Sequence, residues 1–153
     1  MPKFQFRLQQ FLGVKEQIEN QKEMEYGKAL QKLEEEKQKL KNLHDTLLDG
    51  IRVLQKTVEK AIPLHDIRVL NNNIDRYKQQ IIVQDERVRA AEVFVEEKRQ
   101  ELVQAMKERK ALDIVKENAM NEFLKEEDIK ERKLVDEIVS FKYTDKLQEK
   151  EGK

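Results

Sequence analysis

Ile67, Ile74, Ile81, Val88, Val95 and Leu102 stand seven residues apart without interruption. Seven residues are close to two turns of α-helix, so these side chains fall in one stripe along a helix. Three residues further on, Leu70, Tyr77, Ala91, Ala105, Leu112 and Ala119 fill much of a companion series. Together the two series are the a/d seam of a coiled coil. A helix cannot bury such a seam by itself, so the chain must supply a second helix or find one elsewhere.

The first half of the chain offers that second helix. Tyr26, Leu33, Leu40, Leu47 and Leu54 make one heptad series, and Leu30, Ile51 and Val58 lie in the other, which Lys37 and His44 interrupt. Between the halves lies AIPLHDI. Pro63 removes a backbone donor and pushes Ile62 away from helical geometry, and Asp66 can cap the helix that follows. The spacing therefore predicts an all-α fold, a long antiparallel two-helix coiled-coil hairpin with unequal arms. Its parts are a first helix over about residues 4–60, a turn at 61–66, a second helix over about 67–143 and a flexible tail at 144–153. A proline kink in one continuous helix is the alternative. The hairpin reading sets Leu33 beside Val95, Leu40 beside Val88, Leu47 beside Ile81, Leu54 beside Ile74, Ile51 beside Tyr77 and Val58 beside Leu70. The same register sets His44 against Gln84 and Leu30 against Lys98.

Phe4 then falls near Phe123, and residues from about 125 to 143 have no mate in this chain. That overhang keeps an apolar face of Leu134, Ile138 and Phe141, with Arg132, Lys133, Asp136 and Glu137 around it. Its stripe is one residue out of step with the central frame. The N-terminal stripe Phe4, Leu8, Phe11 and Ile18 is likewise displaced from the Tyr26 frame, and Phe6 points off it. An isolated helical overhang would be marginal in water, so its apolar face reads as a surface for a partner.

Composition excludes much else. Charged residues are 41% and apolar ones 38%, too lean for a thick globular core, while four Gly and two Pro in 153 residues argue against disorder and turn-rich β structure. The 31 basic and 31 acidic residues are interspersed, so there is no basic arm for nucleic acid and no polybasic membrane patch. There is no cysteine, no apolar run long enough to span a membrane and no signal-peptide core.

No residues with catalytic spacing stand out. Glycine-rich phosphate loops are missing, and neither His44 nor His65 has metal-ligand spacing around it. His44 reads as a tolerated polar seam residue and His65 as turn surface. The acidic runs Glu34–Glu36 and Glu126–Asp128 read as solvated helix faces, as does Asn71–Asn73, because acid–base catalysis needs carboxyls held in a pocket. The expectation is a protein without enzymatic activity, catalytic residues, metal or cofactor.

KFQFRLQQFL at the start and ERKLVDEIVSF at residues 131–141 resemble the FliJ family of bacterial flagellar type III export, whose members open with a Phe-x-Phe-Arg-Leu-type segment. They close with a Lys-x-Leu/Met-Asp-Glu-type segment, here Lys133 and Val135 to Glu137, with one residue between Leu134 and Asp136. The resemblance covers the chain in length and helical plan, and its specific motifs are the two terminal ones. It implies a cytoplasmic component of the export apparatus, peripheral to the inner membrane at the flagellar base and associated with it through partners. The implied partners are the hexameric export ATPase, the cytoplasmic domain of the export-gate membrane protein, and export-substrate chaperones. It places Phe4, Phe6, Arg7, Arg132, Lys133, Leu134, Asp136, Glu137, Ile138 and Phe141 at the ATPase ring. Ile51, Leu70 and Tyr77, near the turn, are candidates for the gate. A generic coiled-coil scaffold is a competing reading. So is a holdase of the prefoldin kind, although AIPLHDI is too short for the β-hairpins such subunits carry.

Overall fold

The computed structural model describes residues 2–152. Two helices, α1 (Gln9–Glu59) and α2 (Leu64–Glu151), account for most of them and pack against each other as an all-α helical hairpin. Both helices differ in extent from the expected spans. α2 continues past 143 because residues 142–151 contain neither Gly nor Pro and hold several good helix formers. It closes where the Gly152 N–H bonds the Gln148 carbonyl at 3.0 Å. α1 begins at Gln9 rather than near residue 4, and its first helical bond runs from the Leu12 N–H to the Leu8 carbonyl at 2.8 Å. Leu8 brings no side-chain oxygen to cap that end and the first turn of α1 is without an acid, so nothing local marks the boundary.

The connection is residues 60–63, at the early edge of the expected turn. Pro63 is not in its middle. The Pro63 carbonyl accepts from the N–H groups of Asp66 (3.0 Å) and Ile67 (3.4 Å), so Pro63 opens α2, where a missing N–H costs nothing. The end of α1 is turned by Ala61, whose φ of 53° lies in the left-handed region that helix C-termini usually give to glycine.

The chain forms two compact units, residues 18–106 and residues 2–17 with 107–152. In the first unit the α2 seam is as expected: Ile67, Leu70, Ile74, Tyr77, Ile81, Gln84, Val88, Ala91, Val95, Lys98, Leu102 and Ala105 are all buried or half-buried. The α1 seam is not. The Tyr26, Leu33, Leu40, Leu47 and Leu54 series does face inward, but its companion is Lys22, Ala29, Glu36, Leu43, Gly50 and Thr57. Leu30 is 42% exposed, Val58 56% exposed, and Lys37 and His44 lie outside. His44 is therefore no core residue, and Glu36 is no solvated one.

This choice sets a register about one helical turn from the expected one. Ile74 stands against Gly50, with its Cγ1 3.6 Å from where a Cβ would sit, rather than against Leu54. Lys98 donates to Glu25 at 3.4 Å rather than meeting Leu30, and Lys22 donates to Glu101 at 3.2 Å. Gln84 meets Glu36, not His44: its Nε2 donates to the Glu36 carbonyl at 3.0 Å and to the Glu36 carboxylate. The physical reason is size. α2 offers a row of mostly β-branched side chains, and Ala29, Gly50 and Thr57 in the facing row of α1 let the backbones approach, large against small, with Lys22, Glu36 and Leu43 between them.

Glu36 is 5% exposed. Its carboxylate also accepts from Lys32 at 2.9 Å and lies 3.6 Å from Lys39. Hydrogen bonds from Lys32 and then Gln84 outweigh burial and hold its pKa down at about 2, against an ordinary 4.5. The buried charge is thus fully partnered, and no buried side-chain polar atom among the described residues lacks a hydrogen bond.

Candidate partner-binding site

The second unit, residues 2–17 with 107–152, holds most of the residues singled out at the two ends of the sequence. Its packed part is short. Leu12 is 2% exposed, the most deeply buried large side chain among the described residues. Glu19 and Leu12 lie seven and fourteen residues before Tyr26, so the mid-chain series continues into this end of α1. The expected displacement of the N-terminal stripe is not found. Phe11, placed on that stripe by the sequence reading, is 52% exposed, with the Lys15 ammonium 5.3 Å from its ring centroid. Lys15 in turn donates to Glu108 at 3.0 Å, and Lys116 donates to Gln9 at 2.8 Å.

Phe4 and Phe6 precede the helix. Without helical spacing, positions two apart need not diverge, and both rings are half-buried. The Phe4 ring packs on Phe123 with centroids 5.5 Å apart and planes at 51°, a tilted arrangement favoured by aromatic quadrupoles. Phe4 thus meets Phe123 as expected, and Phe6 is half-buried. Arg7 is exposed beside them.

From Asp128 onward α2 has no covering neighbour among the described residues. Every described residue from 128 onward is exposed. Leu134, Ile138 and Phe141 are uncovered, Phe141 being 74% exposed. The apolar face is wider than the expected Leu134, Ile138 and Phe141. Val135 and Val139 are exposed beside it, and at 100° per residue these five side chains cover an arc of roughly 160°. Val135 and Val139 stand one residue outside an a/d stripe, so heptad spacing alone does not mark them. A helical wheel of the segment by itself includes them. Leu147 and Tyr143 add exposed apolar surface on the opposite side.

The charged members divide. Arg132 pairs with Asp128 at 3.2 Å within its own helix. Lys133, Asp136 and Glu137 are exposed, and among the described residues no ion pair is found for them. Nor does the structure gather the two ends into one patch. Phe4 sits at Phe123, and Leu134 follows eleven residues later, about 16 Å along the helix at 1.5 Å per residue. Phe4, Phe6 and Arg7 lie together in sequence just before α1, and residues 132–141 lie some turns further along α2.

Ile51, Leu70 and Tyr77 belong to the first unit and are half-buried. Leu70 and Tyr77 are seam residues; Ile51 flanks the seam. Among the described residues no group of three or more His, Cys, Asp and Glu is placed to hold a metal, and no helix is long and apolar enough to cross a membrane.

The family model for the flagellar FliJ protein matches residues 4–148. The solved structure of a proposed YscO homologue, CT670, from Chlamydia trachomatis is similar in fold, with a TM-score of 0.56 and 23% identity over 93% of this chain and 96% of that one. No curated protein matches the sequence.

Proposed function

We propose, given that the chain belongs to the flagellar FliJ family, that it works as a non-enzymatic stalk of the type III export apparatus, binding the hexameric export ATPase and promoting its assembly and activity. The observation that carries this reading is the apolar arc from Leu134 to Phe141 on a helix with no mate. An arc of roughly 160° is wider than the seam that a single neighbouring helix covers. It fits an enclosing surface, such as the inner wall of a ring of subunits, better than one partner helix. Arg132 and Glu137, of opposite sign, flank that arc on its two edges and supply orientation-specific contacts, while Lys133 and Asp136 lie on the other side of the helix. Phe4, Phe6 and Arg7 supply a second contact some turns earlier.

The same proposal extends to a contact of the turn-proximal residues Ile51, Leu70 and Tyr77 with the cytoplasmic domain of the export gate, and to the handling of export-substrate chaperones. Both would keep the protein in the cytoplasm at the flagellar base, held near the membrane by partners. Neither needs a cofactor.

The test is stimulation of the partner's ATP hydrolysis. Truncation after Asp128, and separately Phe4→Ala with Phe6→Ala, should each weaken ring binding and stimulation while circular dichroism shows the remaining helices folded. A truncated chain that stimulates as well as the full one would reduce the overhang to a tail. The exposed arc would then be better read as a self-association surface of a scaffold, which sedimentation of the full chain against the truncated one would reveal.

A further inference from the structure

α1 carries two overlapping seams. Both use Tyr26, Leu33, Leu40, Leu47 and Leu54. The structure completes them with Ala29, Glu36, Leu43, Gly50 and Thr57, while Leu30, Lys37, His44, Ile51 and Val58 form a second companion series one residue further round. That second series contains three large apolar side chains, of which Leu30 and Val58 are left exposed. Turning α1 by part of a residue step and sliding it by half a heptad against α2 would bring the second series inward. Leu54 would then face Ile74, and Val58 would face Leu70. The α2 seam, regular over its whole length in this unit, accepts either.

The connection has signals for both registers. In the observed one Pro63 opens α2 and Ala61 takes a left-handed φ of 53°, unfavourable for a residue with a Cβ. In the slipped one α1 would run on past Glu59, the first turn of α2 would unwind, and Asp66 would become the helix N-cap with Pro63 in the loop. Ala61 would then be relieved. What holds the observed register is polar. Gln84 is fixed to the backbone and carboxylate of Glu36, and Lys22 and Lys98 are tied to Glu101 and Glu25. These contacts are specific to one alignment, whereas the apolar layers are not.

We propose that the unit of residues 18–106 is a two-register device, in which α1 can slide by about one helical turn against α2 and the Glu36–Gln84 contact latches the observed setting. Because α1 is continuous through this unit, a slide at the turn is delivered to the far end of the unit as a displacement of about 5–6 Å. The proposal stands on the two seams and the connection, and does not depend on which partner the protein binds.

The chain lacks cysteine, so disulfide trapping in the full-length protein reads the register directly. Gly50→Cys with Ile74→Cys reports the observed setting, and Leu54→Cys with Ile74→Cys reports the slipped one. In the otherwise native sequence the first pair should close fast and the second slowly but completely. Lys37→Leu with His44→Leu adds apolar surface that only the slipped register buries. In that background closure of the second pair should accelerate at least tenfold, with helicity unchanged by circular dichroism. If the leucine background instead loses helicity, the native background decides, through whether its second pair closes at all. A second pair that never closes in the native sequence, or a helical leucine variant with an unchanged ratio of the two rates, would overturn the proposal.

Discussion

Glu36 is held by donors from both helices, Lys32 from its own and Gln84 from the other, with the Lys39 charge nearby. Its folded pKa of about 2 lies below the ordinary 4.5, so folding favours the carboxylate. The sign follows: the stability this group lends is complete above pH 4.5 and is lost as the pH falls towards about 2. Thermal melts across that window should show Glu36→Gln losing less stability on acidification than the native chain. Equal acid slopes would mean that the carboxylate is not held as described. Three glycines inside α1 act in the opposite direction, because glycine in a helix interior is costly. A Cβ at Gly27 would meet nothing within 4 Å, and one at Gly50 would make only an ordinary contact with Ile74. Gly27→Ala and Gly50→Ala should each stabilise by about 0.5–1 kcal/mol, read as a raised melting temperature.

At the level of the helices, the existence of two helices and a turn near Pro63 was legible in the sequence, because heptad spacing and proline chemistry are local. The α1 companion series was not. Ranking positions by apolarity selects Leu30, Ile51 and Val58. The fold uses Ala29 and Gly50, small residues that admit close approach to a bulky facing row, and Glu36, which Lys32 and Gln84 hold in place. Composition could not show that Gln84 would reach Glu36, since that partnership exists only in one register. The start of α1 at Gln9 is not legible for a related reason, as no capping residue marks it and Phe4 packs on Phe123 from outside the helix. The consequence at the N-terminal end is a reversal of weights between neighbours. Leu12→Ala should cost about 2 kcal/mol or more, from the burial of its whole side chain, whereas Phe11→Ala should cost distinctly less. Chemical denaturation of the two variants checks the order, and a larger loss at Phe11 would contradict the packing described.

For the molecule as a whole, the exposed terminal part of α2 is the feature with most bearing on function. Its described residues are uncovered from Asp128 onward, and Lys130–Glu127 and Arg132–Asp128 are only local pairs worth about a few tenths of a kcal/mol each. Ile138→Asp should therefore leave the melting temperature nearly unchanged while weakening association with the export ATPase at least several-fold, a split that a core substitution would not give. The central claim is that this segment, helical and uncovered, is completed by the ATPase ring. Amide hydrogen exchange over residues 129–151 measures that directly. In the isolated protein these amides should exchange rapidly, as expected of a helix without tertiary support. On addition of the assembled ATPase they should become strongly protected, with the greatest slowing around Leu134, Ile138 and Phe141. Exchange that stays equally fast in a complex shown to have formed would contradict the claim.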